Sequence, residues 1–155
     1  MKMEDDIREL IETIETIYSE LGYKIFDREE TEDLYQASFS SNSEIGGSVF
    51  VEKESNFLEL AYSYTFDIDE EDFLKEHLES MMNICYEYGN YFNIMKTDDE
   101  INFTIFAKLY FSGLNVESMQ DTLDDFISCN HEIIEVFGIE EDDRYSDTGN
   151  GNQET

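Results

Sequence analysis

Two histidines, two cysteines and an excess of carboxylates are the side chains of this sequence that could do chemistry, and their spacing decides how much. Metal catalysis needs several His, Cys or carboxylate ligands converging on one ion. His77 and His131 fall in separate segments that read as helices, and neither an HExxH nor a CxxC pattern is present. Each histidine reads as a partly buried structural residue, His77 near the apolar stripe of its helix and His131 beside Asn130. Cys85 and Cys129 lie among apolar neighbours on helical segments, which reads as a pair of buried free thiols rather than a ligand set. Asp67, Asp69 and Glu71 alternate as the acids opening an EF-hand loop do. That loop then fails, because its sixth position is Asp72 instead of Gly and its twelfth is Leu78 instead of Glu.

The other candidates fare no better. Paired carboxylates such as Asp98-Asp99 and Asp124-Asp125 read as solvated charge, since acid–base chemistry on a glycoside also needs a cleft around the pair. Gly46-Gly47 reads as a turn, because neither GxGxxG nor GxxxxGK[ST] surrounds it. Ser and Cys nucleophiles lack a recognisable elbow or partner spacing. The expectation is a chain without catalytic residues, metal ligands or a cofactor: a binding protein, not an enzyme.

Charge narrows what it could bind. Thirty-nine Asp and Glu against nine Lys and Arg give a formal net charge of −30 over 155 residues. Such a field repels phosphate backbones and anionic lipid headgroups, and it draws basic partners and cations toward the surface. Direct binding of nucleic acid or bare membrane is therefore not expected. Acidity of this size is also an adaptation to molar salt, a property of solubility rather than fold. Disorder is excluded on composition: 40% hydrophobic residues, with 12 Phe and 10 Tyr, supply the apolar surface that offsets ordering entropy. The opening Met1-Lys2-Met3-Glu4-Asp5-Asp6 has no apolar h-region, and no run approaches the roughly 18 apolar residues of a membrane span. A cytoplasmic protein is the expectation.

The elements that must position these residues follow from hydrophobic period. Ile7, Leu10, Ile11, Ile14, Ile17, Tyr18 and Leu21 recur at three- and four-residue steps, which predicts an amphipathic helix from Glu4 to Leu21, ended by Gly22. A short extended piece at Tyr23 to Phe26 and a charged stretch from Asp27 to Asp33 separate it from segments of period two. Tyr35, Ala37 and Phe39, then Val49 and Val51, then Leu58, Leu60, Tyr62, Tyr64 and Phe66 predict three strands, and their short connections make them antiparallel neighbours. Asp69 and Asp72 open a second helix that carries Phe73, Leu74, His77, Leu78, Met81, Ile84, Cys85 and Tyr88 to Gly89. Phe92 and Ile94 start a strand that turns at Thr97 to Glu100 into a long partner strand from Ile101 to Phe111. After Ser112 to Asn115, a third helix runs from Val116 to Phe137 and stops at Gly138.

The expected fold is one α+β domain over residues 1–138, an antiparallel sheet with helices on one face in the order α-βββ-α-ββ-α. Residues 139–155, acidic and then Gly/Asn-rich, read as a disordered tail. Phe50, Phe106 and Tyr110 fall on the opposite face of their strands from the predicted core, which marks them as a partner or dimer surface if they cluster.

The run Ser80-Met81-Met82-Asn83-Ile84, then Phe92-Asn93-Ile94, then Phe106-Ala107-Lys108-Leu109-Tyr110-Phe111-Ser112-Gly113-Leu114, then Met119 to Phe126 resembles the YbjN family, whose fold is shared with type III secretion chaperones. The resemblance covers about Ile7 to Phe137 as topology and the second half as sequence. It implies a non-catalytic domain that dimerises and holds or regulates other proteins, with no family-wide catalytic residues. The net charge exceeds what the resemblance implies. Three functions are thus carried forward: a chaperone-like or regulatory module that binds a protein partner, an acidic DNA mimic that blocks a nucleic-acid-binding protein, and a cation-binding regulator.

Overall fold

In the computed structural model the chain is described over residues 2–42 and 46–138, with side chains from Ile7 onward. The expected tail at 139–155 lies outside the described residues. Among the described residues six strands form one sheet in the order β1-β2-β3-β4-β6-β5, every neighbouring pair antiparallel. The strands are β1 (Lys24–Glu30), β2 (Leu34–Ser40), β3 (Gly47–Glu52), β4 (Phe57–Asp67), β5 (Tyr91–Lys96) and β6 (Glu100–Tyr110). Helix α1 (Lys2–Glu20) precedes them, α2 (Glu71–Glu76) and α3 (Leu78–Glu87) lie between β4 and β5, and α4 (Val116–Phe137) follows β6. The chain is an α+β protein. No helix among the described residues is long and apolar enough to cross a membrane.

The alternating strand residues Tyr35, Phe39, Val49, Leu58, Leu60, Tyr64, Phe103 and Ile105 form one buried layer with Ile14, Tyr18, Met81, Leu123, Phe126 and Ile133 of the helices. Phe137, at the end of α4, is ringed by Tyr64, Phe66, Phe73 and Phe103 at centroid distances of 4.9 to 6.1 Å, fixing the helix end over the paired strands β4 and β6 and against α2. Two polar side chains tie the layer together: Tyr64 Oη donates to Asn130 Oδ1 at 2.6 Å, and Asn130 Nδ2 donates to the Phe126 carbonyl at 2.8 Å. Buried polar groups are tolerable when satisfied in this way.

The structure departs from the sequence expectation in three places. The segment read as an extended piece and a charged stretch is a full strand, β1, so four strands follow the first helix instead of three. Its alternation is hidden because it is a sheet edge, with most side chains exposed. The single second helix is two, broken at His77, whose backbone leaves helical geometry at φ −103°, ψ 6° and whose Nδ1 lies 2.9 Å from the Phe73 carbonyl. Gly47 is not a free turn residue but the first residue of β3. A Cβ there would lie 2.9 Å from the Ala61 carbonyl oxygen and 3.0 Å from the Phe39 ring, so close approach excludes a side chain.

Candidate functional site

Period two in a strand sends alternate residues to opposite faces, and among the described residues only one face carries helices. Among the described residues the other face contributes none to the core cluster, although Ala61 on it is buried at 5% exposure. Following the register across the sheet, that face presents Phe26, Gln36, Ser38, Ser48, Phe50, Phe57, Glu59, Ala61, Tyr91, Met95, Phe106, Lys108 and Tyr110. Phe50 stands opposite Glu59, Glu59 opposite Lys108, Ala61 opposite Phe106, Phe57 opposite Tyr110 and Tyr91 opposite Phe106. Phe50, Phe106 and Tyr110 therefore share one face, as their parity in the sequence requires.

The rings meet in pairs. Tyr91 stacks on Phe106 with centroids 5.5 Å apart and planes 20° apart, and Phe57 meets Tyr110 edge to face at 5.7 Å. Aromatic pairs favour these offset and T-shaped geometries. Tyr110 is 50% exposed and Tyr91 38%, whereas Phe50, Phe57 and Phe106 are half-buried by their neighbours. Lys108 lies across the cluster with Nζ 4.1 Å from the Phe57 centroid, 5.6 Å from Tyr91 and 5.8 Å from Tyr110. The Tyr91 hydroxyl donates to Glu59. Burial and that carboxylate hold its pKa well above the ordinary tyrosine value.

The other half of the face is polar. Ser63 Oγ and Thr104 Oγ1 are 2.8 Å apart, and Thr65 Oγ1 donates to Asn102 Oδ1 at 2.8 Å, both between strands paired in register. Glu29, Glu52, Glu59, Asp67 and Glu100 outnumber Lys24 and Lys108 on this face, so the aromatic patch sits in a negative surround.

Phe57, Tyr91, Glu59 and Lys108 were not singled out in the sequence. Phe57 and Tyr91 each directly precede a residue of the buried alternation, Leu58 and Phe92, and read as strand ends. The signal that finds them is parity with Phe106 and Tyr110 once the hairpins are registered.

The chemical candidates do not gather here. His77 and His131 lie on the helical side, one at the α2–α3 break and one on α4. Cys85 and Cys129 are buried with their sulfurs 3.9 Å apart. Asp67 ends β4, Ile68 to Glu70 form a single 3₁₀ turn and Glu71 opens α2, so the alternating acids are a helix entry, with the Asp67 amide donating to Glu70 at 3.0 Å. Among the described residues no three His, Cys, Asp or Glu side chains are arranged to hold a metal ion.

No family model matches the chain, and no curated protein matches it. A solved structure is similar in fold: the crystal structure of an uncharacterized protein from Methanothermobacter thermautotrophicus, with a TM-score of 0.65 at 9% sequence identity. The match covers 82% of this chain and 95% of that one. At such identity the likeness shows the fold alone.

Proposed function

We propose that this chain is a non-catalytic, cytoplasmic protein-binding module, chaperone-like or regulatory, that engages a basic protein partner through the helix-free face of its sheet. The observation that supports this reading is the aromatic cluster of Phe57, Tyr91, Phe106 and Tyr110, with Phe50 on the same face opposite Glu59, left outside the core on a face rimmed with carboxylates. A contiguous exposed apolar patch with a polar rim is the usual mark of an interaction surface. Burying it yields affinity at about 25 cal/mol per Å² of apolar area. The acidic field adds on-rate and selects partners by sign. Membership of the YbjN family, with its implied homodimer, belongs to the same proposal.

The charge itself favours a second reading, a DNA mimic that fills the basic groove of a nucleic-acid-binding protein. One experiment separates them: the full chain and Phe106→Asp, matched in fold by circular dichroism, are used to capture partners from native lysate at low salt and at a few hundred millimolar salt. The protein-binding reading expects capture that survives salt and is lost with Phe106→Asp. Capture that collapses with salt, is displaced by duplex DNA and ignores Phe106→Asp overturns it in favour of mimicry.

A further inference from the structure

We infer that the ring-lined seat holding Lys108 takes a basic side chain of the partner in its place, with Lys108 as a built-in placeholder; the inference rests on the helix-free face being the partner surface. Aromatic faces attract cations through the negative centre of their π systems, and three rings around one ammonium form a cage of the kind that recognises alkylammonium groups. Phe57, Tyr91 and Tyr110 surround the Lys108 ammonium in that way.

Lys108 is well suited to leave. Its side chain is exposed, and among the described residues it makes no ion pair; Glu59, directly across the strand pair, accepts from the Tyr91 hydroxyl. The rings are positioned without it: Phe57 rests on Tyr110, Tyr91 on Phe106, and Tyr91 is further held by Glu59. Swinging a four-carbon stem into water frees its rotamers, and an incoming cation restores the same ring contacts. Charge decides the sign of the occupant. The carboxylates Glu52 and Glu59 share the face, and the molecule carries a net −30, so a cationic side chain is drawn to the seat and an anionic one repelled.

The test uses the full chain, carbon-13 labelled in its aromatic rings, with tetramethylammonium as the cation and tert-butanol as its neutral counterpart. About 0.3 M sodium chloride screens diffuse attraction to the acidic surface. In Lys108→Ala the ring signals of Phe57, Tyr91 and Tyr110 should shift saturably with tetramethylammonium, at concentrations about fivefold below those the unmodified chain needs. Adding Phe57→Leu should abolish the response. Equal shifts with tert-butanol, or no gain from Lys108→Ala, overturn the inference. In the second arm, a captured partner should dissociate about fivefold more slowly from Lys108→Ala than from the unmodified chain. An unchanged rate overturns the seat while loss of capture with Phe106→Asp leaves the partner surface standing; capture indifferent to Phe106→Asp removes both.

Discussion

Tyr18 and Tyr64 carry the same hydroxyl into the same core and meet different surroundings there. Tyr64 donates to Asn130, whereas the Tyr18 hydroxyl is buried with no hydrogen-bond partner among the described residues. Removing the oxygen should therefore act with opposite sign at the two positions. Tyr64→Phe leaves Asn130 Oδ1 without that donor and should cost about 1–3 kcal/mol; Tyr18→Phe discards an unsatisfied group and should raise stability by about 1 kcal/mol. Urea unfolding of both variants checks this, and equal losses would contradict it. Glu15 supplies a pH test. Arg28 donates to both its oxygens at 2.8 and 3.1 Å and Tyr35 donates at 2.6 Å, and the Arg28 bond above all lowers the Glu15 pKa from 4.5. A carboxylate stabilised in the folded state contributes fully above its unfolded pKa and loses that contribution as pH falls through the lower folded value. The stability gap between the unmodified chain and Glu15→Gln should thus be constant near neutral pH and close below pH 4.5. A gap that widens in acid would refute the assignment. None of these pairs was legible in the sequence, because Glu15 and Tyr35 stand twenty residues apart and only the packing of α1 on the sheet joins them.

Elements were easier to read where burial imposes a period and harder where it does not. Strands β2, β4 and β6 are legible because their buried residues alternate with half-buried or exposed ones against a full core. Strand β1 is not: it is an edge, its sequence is KIFDREE, and its register shifts between Phe26 and Glu29. Charges and bulges of this kind keep an edge from pairing with another sheet. Asp27 in the bulge adopts φ 53°, a left-handed conformation that short polar residues tolerate and β-branched ones do not. Asp27→Val should cost about 1–2 kcal/mol with little loss of buried contact, and Asp27→Gly should be neutral or stabilising; thermal melts of the pair decide, and equal melting temperatures would argue against strain at this bulge. The break at His77 was hidden for another reason. The apolar stripe of α2 and α3 stays in phase across it, from Leu74 to Met81 and Cys85, so period alone reads one helix.

At the scale of the molecule, the sheet must choose which face its helices cover, and the sequence carried that choice in parity: Phe106 and Tyr110 alternate with Ile105 and Leu109 and cannot share their interior. The seat around Lys108 was beyond reach, since it assembles from three strands whose register only the fold supplies. Net charge then governs assembly. Two copies at −30 repel, and salt screens that repulsion over about 8 Å at physiological ionic strength, so the proposed homodimer should tighten as salt rises. Sedimentation that shows a monomer at high micromolar concentration in both low and high salt would remove it. The central claim, that the helix-free face is the partner surface, is tested most directly by hydroxyl-radical labelling with and without a captured partner. Tyr91, Met95, Phe106 and Tyr110 report that face, and Met82 and Tyr86, 55% and 86% exposed on α3, report the helical side. Protection of the first four with Met82 and Tyr86 unchanged is the predicted result; protection confined to Met82 and Tyr86 would contradict it.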